Sequence, residues 1–443
     1  MLYLEKMEEN MKTEISLELI KKFNSLYNTK ENREDEKHII EEGIYDYIID
    51  RNVIKENKRE FSIELPQLKR ENQQESSRCW IYAGINFLKY DVFNKLNCNI
   101  NDIDFSCNYI SFFDKLEKCN SIYEAVINNG KTSLTDIFKI GITEWGYWIY
   151  FVEIIEKYGL VPLNTMPENK NSYNSDFLLN ILNEKVKKDV YDLLKKRESC
   201  TTEEIKKYKE IKLFEIYNIL SKTLGEPKYC FNYSYINKHG EKIRFENVTP
   251  IEFKNKITTN NLRDYVAVAS FEMENKDYYK KYEKRFYQDI YERTYPTYIN
   301  VPKNELKELT IKQLKDGMAV RFSSEIRKDI DNKNGIMDCR IFNYNKLQIN
   351  DRLSTKELLE SKESFAAHAM IFTGVNIKND KPNRWKVEDT RNTSRNYEGS
   401  YVMNDNFFDK YVYAVYINKK YLTDNQIKAY KSNSIPVDID DVF

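Results

Sequence analysis

Histidine is nearly absent from this chain. Among 443 residues, only His38, His239 and His368 carry an imidazole. Any chemistry that needs such a ring has three candidates within the chain. No Cys-x-x-Cys spacing occurs, and the seven cysteines are odd in number. That argues against a zinc ribbon or a disulfide framework and points to a reducing, cytoplasmic setting. No metal and no cofactor are expected. No run approaches the ~18 apolar residues of a membrane span. The most apolar stretch, Trp145 to Ile155, is broken by Glu153. An excess of either charge is missing too: 70 basic and 70 acidic side chains give a formal net charge of +0. Nucleic acid and anionic membranes are therefore not expected partners. The start, Met1 to Lys12, mixes charged and apolar residues and lacks a signal-peptide core.

What remains is a globular composition, 41% apolar and 32% charged, on a chain longer than one hydrophobic core usually serves. Residues 14 to 57 read as helices. His38 falls in their charged run and is expected on the surface. Phe61, Ile63 and Leu65 alternate with polar residues as a short strand. Leu179, Leu182, Val186, Val190 and Leu193 keep helical steps, so 176 to 222 reads as a helical insertion. Tyr233 and Tyr235 alternate before Asn237-Lys238-His239-Gly240, a hairpin turn that places His239 at a loop tip.

One stretch organises the rest. The polar loop Asn72-Gln73-Gln74-Glu75-Ser76-Ser77-Arg78 runs into Cys79-Trp80. Apolar residues then recur at helical spacing: Ile81, Ile85, Leu88, Val92 and Leu96. Cys79 is predicted at the first turn of a buried helix, where free N–H groups and the helix dipole favour a thiolate. Taken alone, it reads better as a small buried cysteine. His368 opens the apolar run Ala369 to Val375. After a turn near Asn379, Asp380 and Pro382, Trp385, Val387 and Asp389 share one strand face. Arg384, Lys386 and Glu388 share the other. A carboxylate on the apolar face needs a partner, and His368 begins the neighbouring strand. The alternative is a solvated Asp389 at a strand end. A helix-start cysteine, a strand-start histidine and a polar residue on the next strand are the parts of a thiol acyl-transfer site. In that site His368 takes and returns a proton, and Asp389 orients the ring. Gln73 and the Cys79 backbone N–H face the oxyanion.

These residues resemble the bleomycin hydrolase and aminopeptidase C family of papain-like cysteine peptidases. The likeness extends through Asn108–Lys118 (NYISFFDKLEK), Glu156–Pro162 (EKYGLVP), Thr223–Pro227 (TLGEP), Tyr298–Pro302 (YINVP) and Ile311–Gly317 (IKQLKDG). It includes Ala367-His368-Ala369-Met370 and Trp385-Lys386-Val387-Glu388. His368 lies 289 positions beyond Cys79, against ~130–150 in papain itself, so the extra length fits insertions.

The resemblance implies an α+β papain-like fold with a helical half and a β-barrel-like half. It implies an N-terminal arm over 1–70, a helical half over 71–170, an insertion over 171–262 and a β half over 263–443. It also implies an aminopeptidase acting on peptide substrates, a homohexamer, and a C-terminal arm that brings Phe443 to the substrate amine. Three departures stand out. Asp389-Thr390-Arg391-Asn392 replaces the family's Asn-Ser-Trp-Gly. Ile142-Thr143-Glu144-Trp145 stands for its Gly-Gly-Gln-Trp. Ser77 replaces a glycine. They leave open a second expectation, a catalytically weak or silent scaffold that binds peptides.

Overall fold

The computed structural model describes residues 14–98, 104–128, 141–285, 290–391, 397, 399–438 and 441–443. Residues 1–12 and Asn392, read above, lie outside them. The fold is α+β. Helix α1 (Cys79–Leu96) runs through the middle and is buried on nearly every side from Trp80 to Val92. The expected stripe is there, but it widens into an all-round core helix. Asn97, in the left-handed region at φ 46°, ends it.

Helix α2 (Cys107–Asn128) and helix α3 (Trp148–Tyr158) pack beside it. The stretch read as one insertion is two helices, α4 (Asp176–Ser199) and α5 (Thr202–Leu224). Thr201 and Glu204 form a reciprocal capping box that starts α5. The pair buries Leu182, Val186, Val190, Ile216 and Leu220 against α2. Each such side chain contributes roughly 1.5–3 kcal/mol.

A mixed sheet of twelve strands forms the other half, counted among the described residues. At its centre β1 (Val320–Ser324) lies between β2 (His368–Lys378) and β4 (Val412–Asn418), antiparallel to both. Strand β3 (Lys381–Glu388) returns along β2. Their turn uses Asn379 and Asp380 at φ 51° and 61°, the positive values that a tight hairpin needs. Phe322 stacks on Phe372 with ring centroids 3.8 Å apart, tying β1 to β2. The short strand Ile63–Glu64 pairs with the far side of β2.

The alternation of faces along β3 holds, but its charged face is covered at Lys386 and Glu388. Glu388 shares a face with Arg384 and Lys386, yet it is buried, with the Arg70 Nε at 4.0 Å. The segment around residues 63–70 covers that face, so polar does not mean wet here. Helix α1 packs across β2 and β1, which brings the start of the helix to the start of β2. All seven cysteines are free thiols. No helix among the described residues is long and apolar enough to cross a membrane.

Candidate active site

Cys79 is the first residue of α1 and half-buried. The His368 ring and the backbone N–H of Ala369 lie near enough to its thiol to favour the ionised form. Burial pushes the thiol up. The His368 charge and hydrogen bond, the Ala369 amide and the Arg321 charge outweigh it and leave the thiol below its ordinary range. On the other side of the ring, His368 Nε2 lies 2.6 Å from Asp389 Oδ1. That bond leaves Nδ1 as the nitrogen facing the thiol. Asp389 is only 5% exposed, and it also accepts the Thr390 N–H at 2.7 Å. Burial lowers the His368 pKa, but the Asp389 carboxylate and the Cys79 sulfur raise it to about 10. The two shifts are complementary: the pair favours thiolate beside imidazolium.

Gln73 is fully buried beside this pair. Its Nε2 donates to the Ser76 carbonyl at 2.5 Å, and its Oε1 accepts the Thr390 hydroxyl at 2.5 Å. The Thr390 Oγ1 also lies 3.3 Å from His368 Nε2. Thr390 therefore links the glutamine to the histidine. The sequence offered no signal for this beyond its place next to Asp389. The other two histidines lie elsewhere and are exposed.

Two further residues hold the nucleophile loop and carried no pattern in the sequence. Arg78 precedes Cys79 and is fully buried. Its Nη2 donates to Glu168 at 2.8 Å, to the Tyr82 hydroxyl at 3.1 Å and to the Ser172 carbonyl at 2.5 Å. Glu144 accepts the Ser77 N–H and Ser175 hydroxyl at 2.8 and 2.6 Å, and Lys115 Nζ at 3.0 Å. Burial alone would raise the Glu144 carboxyl, but Lys115 and Arg78 hold it down at about 2. The first turn of α1 is thus clamped from behind by ionised groups whose partners are in place.

Cys79, His368 and Gln73 line one cavity of about 650 Å³. Of the segment 142–145, only Trp145 reaches its wall. Ile142 is buried in the second core cluster, and Glu144 sits behind the loop. The wall is instead Trp145-Gly146-Tyr147. A Cβ on Gly146 would lie 2.7 Å from the Trp80 ring. Packing on Trp80 thus leaves no room for a side chain at this point of the wall.

Asp441, Val442 and Phe443 form one end of the cavity. The Phe443 ring packs on Tyr298, at 4.5 Å between centroids, and on Tyr147. Its main-chain oxygen accepts Lys284 Nζ at 3.0 Å and the Tyr147 hydroxyl at 3.3 Å. Lys276 pairs with Asp441. Among the described residues, no group of three or more His, Cys, Asp or Glu is arranged to hold a metal.

The fold and this line of residues define a papain-like cysteine peptidase. The chain belongs to the Peptidase C1-like family, whose model matches residues 14–443. It is similar to Aminopeptidase C of Listeria innocua, 33% identical over 85% of this chain and 86% of that protein. It is also similar to Aminopeptidase G of Lactobacillus delbrueckii subsp. lactis, 30% identical over 96% of this chain and 98% of that one. The crystal structure of PepW from Lactobacillus rhamnosis HN001 superposes with a TM-score of 0.88 at 29% identity. It covers 96% of this chain and 98% of its own.

Proposed function

We propose that this chain is a cysteine-type aminopeptidase that removes N-terminal residues from peptides. One observation carries the reading: a thiol, an imidazole and a buried carboxylate stand in line at the wall of a peptide-sized cavity. The Cys79 thiolate attacks the scissile carbonyl, and the C–N bond breaks as the tetrahedral intermediate collapses. The His368 imidazolium gives its proton to the leaving amine, then draws one from the water that releases the acyl group. Asp389 keeps the ring turned and charged. The second Nε2 proton of Gln73 and the Cys79 N–H serve the oxyanion.

Phe443 supports exopeptidase action. Residues 441–443 line the same cavity as Cys79, and in this reading they limit how much chain a substrate can place before its scissile bond. In this reading Phe443 stands where the substrate amine arrives. The reading is tested with matched aminoacyl and N-acetyl-aminoacyl fluorogenic substrates. The free-amine substrate is turned over, the acetylated one far more slowly, and Cys79→Ala abolishes both. Equal rates on both substrates would leave a peptidase but remove the aminopeptidase.

The silent-scaffold alternative rested on Asp389 and on missing glycines. The 2.6 Å bond from Asp389 to Nε2 favours the active reading. Selective modification of Cys79 by an epoxysuccinyl reagent, among seven cysteines, decides between them. A cytoplasmic homohexamer belongs to the same proposal. Exposed Leu17 and Phe23, and Phe177 and Phe214 on the helical pair, offer apolar surface for contacts between copies. Sedimentation should give six times the mass of 53.1 kDa; a monomer would remove that part.

A further inference from the structure

The cavity is far more basic than the chain. Lys284, Arg321, Lys362 and Arg391 line it, against the single acidic side chain of Asp441, which is paired with Lys276. Arg321 is the unusual member. It lies on β1, two residues before Ser323, which pairs with Ala369 beside the histidine. It is 2% exposed, yet its Nε and Nη1 have no hydrogen-bond partner among the described residues. Its guanidinium lies flat against Tyr416, 4.1 Å from the ring centroid, with Trp148 at 5.7 Å. These rings hold the plane of the fork and soften the cost of its charge. They accept no hydrogen bonds in its plane. A buried cation with idle donors is costly to a fold, and the Phe443 oxygen goes to Lys284 and Tyr147 instead.

We infer that Arg321 is a specificity-determining residue that binds a substrate carboxylate in the cavity of Cys79, so that peptides with an acidic N-terminal residue are preferred. The inference rests on the peptidase reading for the substrate and on the cavity itself for the site. A guanidinium at a cavity wall whose charge no acidic side chain offsets suits a carboxylate. The neighbouring Arg391, whose Nε is likewise buried without a partner, adds to the same field. A free α-carboxylate on a very short peptide presents the same group, and the test separates the two sources.

Four substrates suffice: Glu-Ala-Ala-amide against Gln-Ala-Ala-amide, and Ala-Ala against Ala-Ala-amide. Each is measured with the wild-type enzyme, Arg321→Gln and Arg321→Lys. The Glu substrate should exceed the Gln substrate in kcat/KM by about tenfold or more. That ratio should shrink to within about twofold in Arg321→Gln and fall part-way in Arg321→Lys, which keeps the charge but loses the fork. Taking ratios cancels the effect of Arg321 on the thiol, which all substrates share. If the dipeptide pair carries the Arg321-dependent ratio instead, the carboxylate source is the chain end, and the acidic-residue preference is withdrawn. A wild-type enzyme with neither preference overturns the inference without any variant, and so does a preference that survives Arg321→Gln. If no peptide is cut at all, calorimetry with Cys79→Ala and the Glu and Gln peptides still decides. Tighter binding of Glu keeps the carboxylate site while the peptidase reading falls, and equal binding removes both.

Discussion

Two buried arginines flank the nucleophile, and they are treated in opposite ways. Arg78 lies behind the first turn of α1 and is saturated by Glu168, Tyr82 and Ser172. Arg321 lies in front, at the cavity wall, and two of its nitrogens bond nothing among the described residues. Burial does not distinguish them, since both are at most 2% exposed. Partners do. A charge whose bonds are all made within the fold is scaffold, and removing it strands its partners. A charge without them is offset only by its ring contacts and by what enters the cavity that it lines. The region behind Cys79 is built for rigidity, and the region in front is left open for a ligand.

The largest expected effect tests whether the two regions meet at a working nucleophile at all. Cys79→Ala should lower kcat/KM by at least on the order of 10⁴-fold, with far-ultraviolet dichroism unchanged. Retained turnover would mean that another group does the chemistry and that both arginines are merely buried. The next effect separates the arginines. Arg78→Met should cost roughly 3–5 kcal/mol in urea denaturation, because Glu168 and Glu144 lose a buried counter-charge. Arg321→Met should cost no more than about 1 kcal/mol, the worth of its ring contacts, since no carboxylate is left behind. Both need one fixed protein concentration, as assembly would add to apparent stability. Equal losses would break the comparison.

Much of the site was legible because its parts follow local rules. The step pattern from Ile81 to Leu96 put Cys79 at a helix start. The two-residue period of β3 put Asp389 on the side of Trp385 and Val387, where a carboxylate must find a partner. What escaped depends on distance in sequence. Glu144 lies 67 positions from the Ser77 N–H that it accepts, and no periodicity links them. Arg321 sits in a run whose neighbours are all buried, and nothing local says that its nitrogens are idle. Glu388 is buried on the charged face of β3; alternation reports a face but not what covers it. The segment at 142–145 was matched by likeness of letters, whereas packing on Trp80 selects Gly146.

Gly146 offers a smaller test of the front wall. In Gly146→Ala the new methyl meets the Trp80 ring at 2.7 Å. The ring cannot yield easily, since its Nε1 donates to the Glu144 carbonyl at 2.8 Å and it is buried. A cost of about 1–3 kcal/mol is expected, together with a fall in kcat/KM. An unchanged kcat/KM would show that this wall does not approach the substrate backbone.

The smallest effect concerns Asp389, where front and back meet at the imidazole. Burial alone would strip the proton from His368. The Asp389 charge, and then Cys79, hold it until about pH 10. The thiol is displaced the other way, so thiolate and imidazolium coexist between the two titrations. For stability the signs are fixed. A raised histidine contributes fully below its ordinary value near 6.5 and loses that contribution as pH climbs through about 10. Asp389→Asn keeps an oxygen for Nε2–H but removes the charge. The alkaline limb of kcat/KM should then move down by about one pH unit or more. The acid limb, set by Cys79 beside an imidazolium already present, should move less. It should shift toward lower pH, since an anion near the thiolate is gone. A proton held less tightly is also given up more readily to a leaving amine, so kcat near neutrality should hold or rise. An alkaline limb that stays in place would mean that the carboxylate orients the ring without holding its proton.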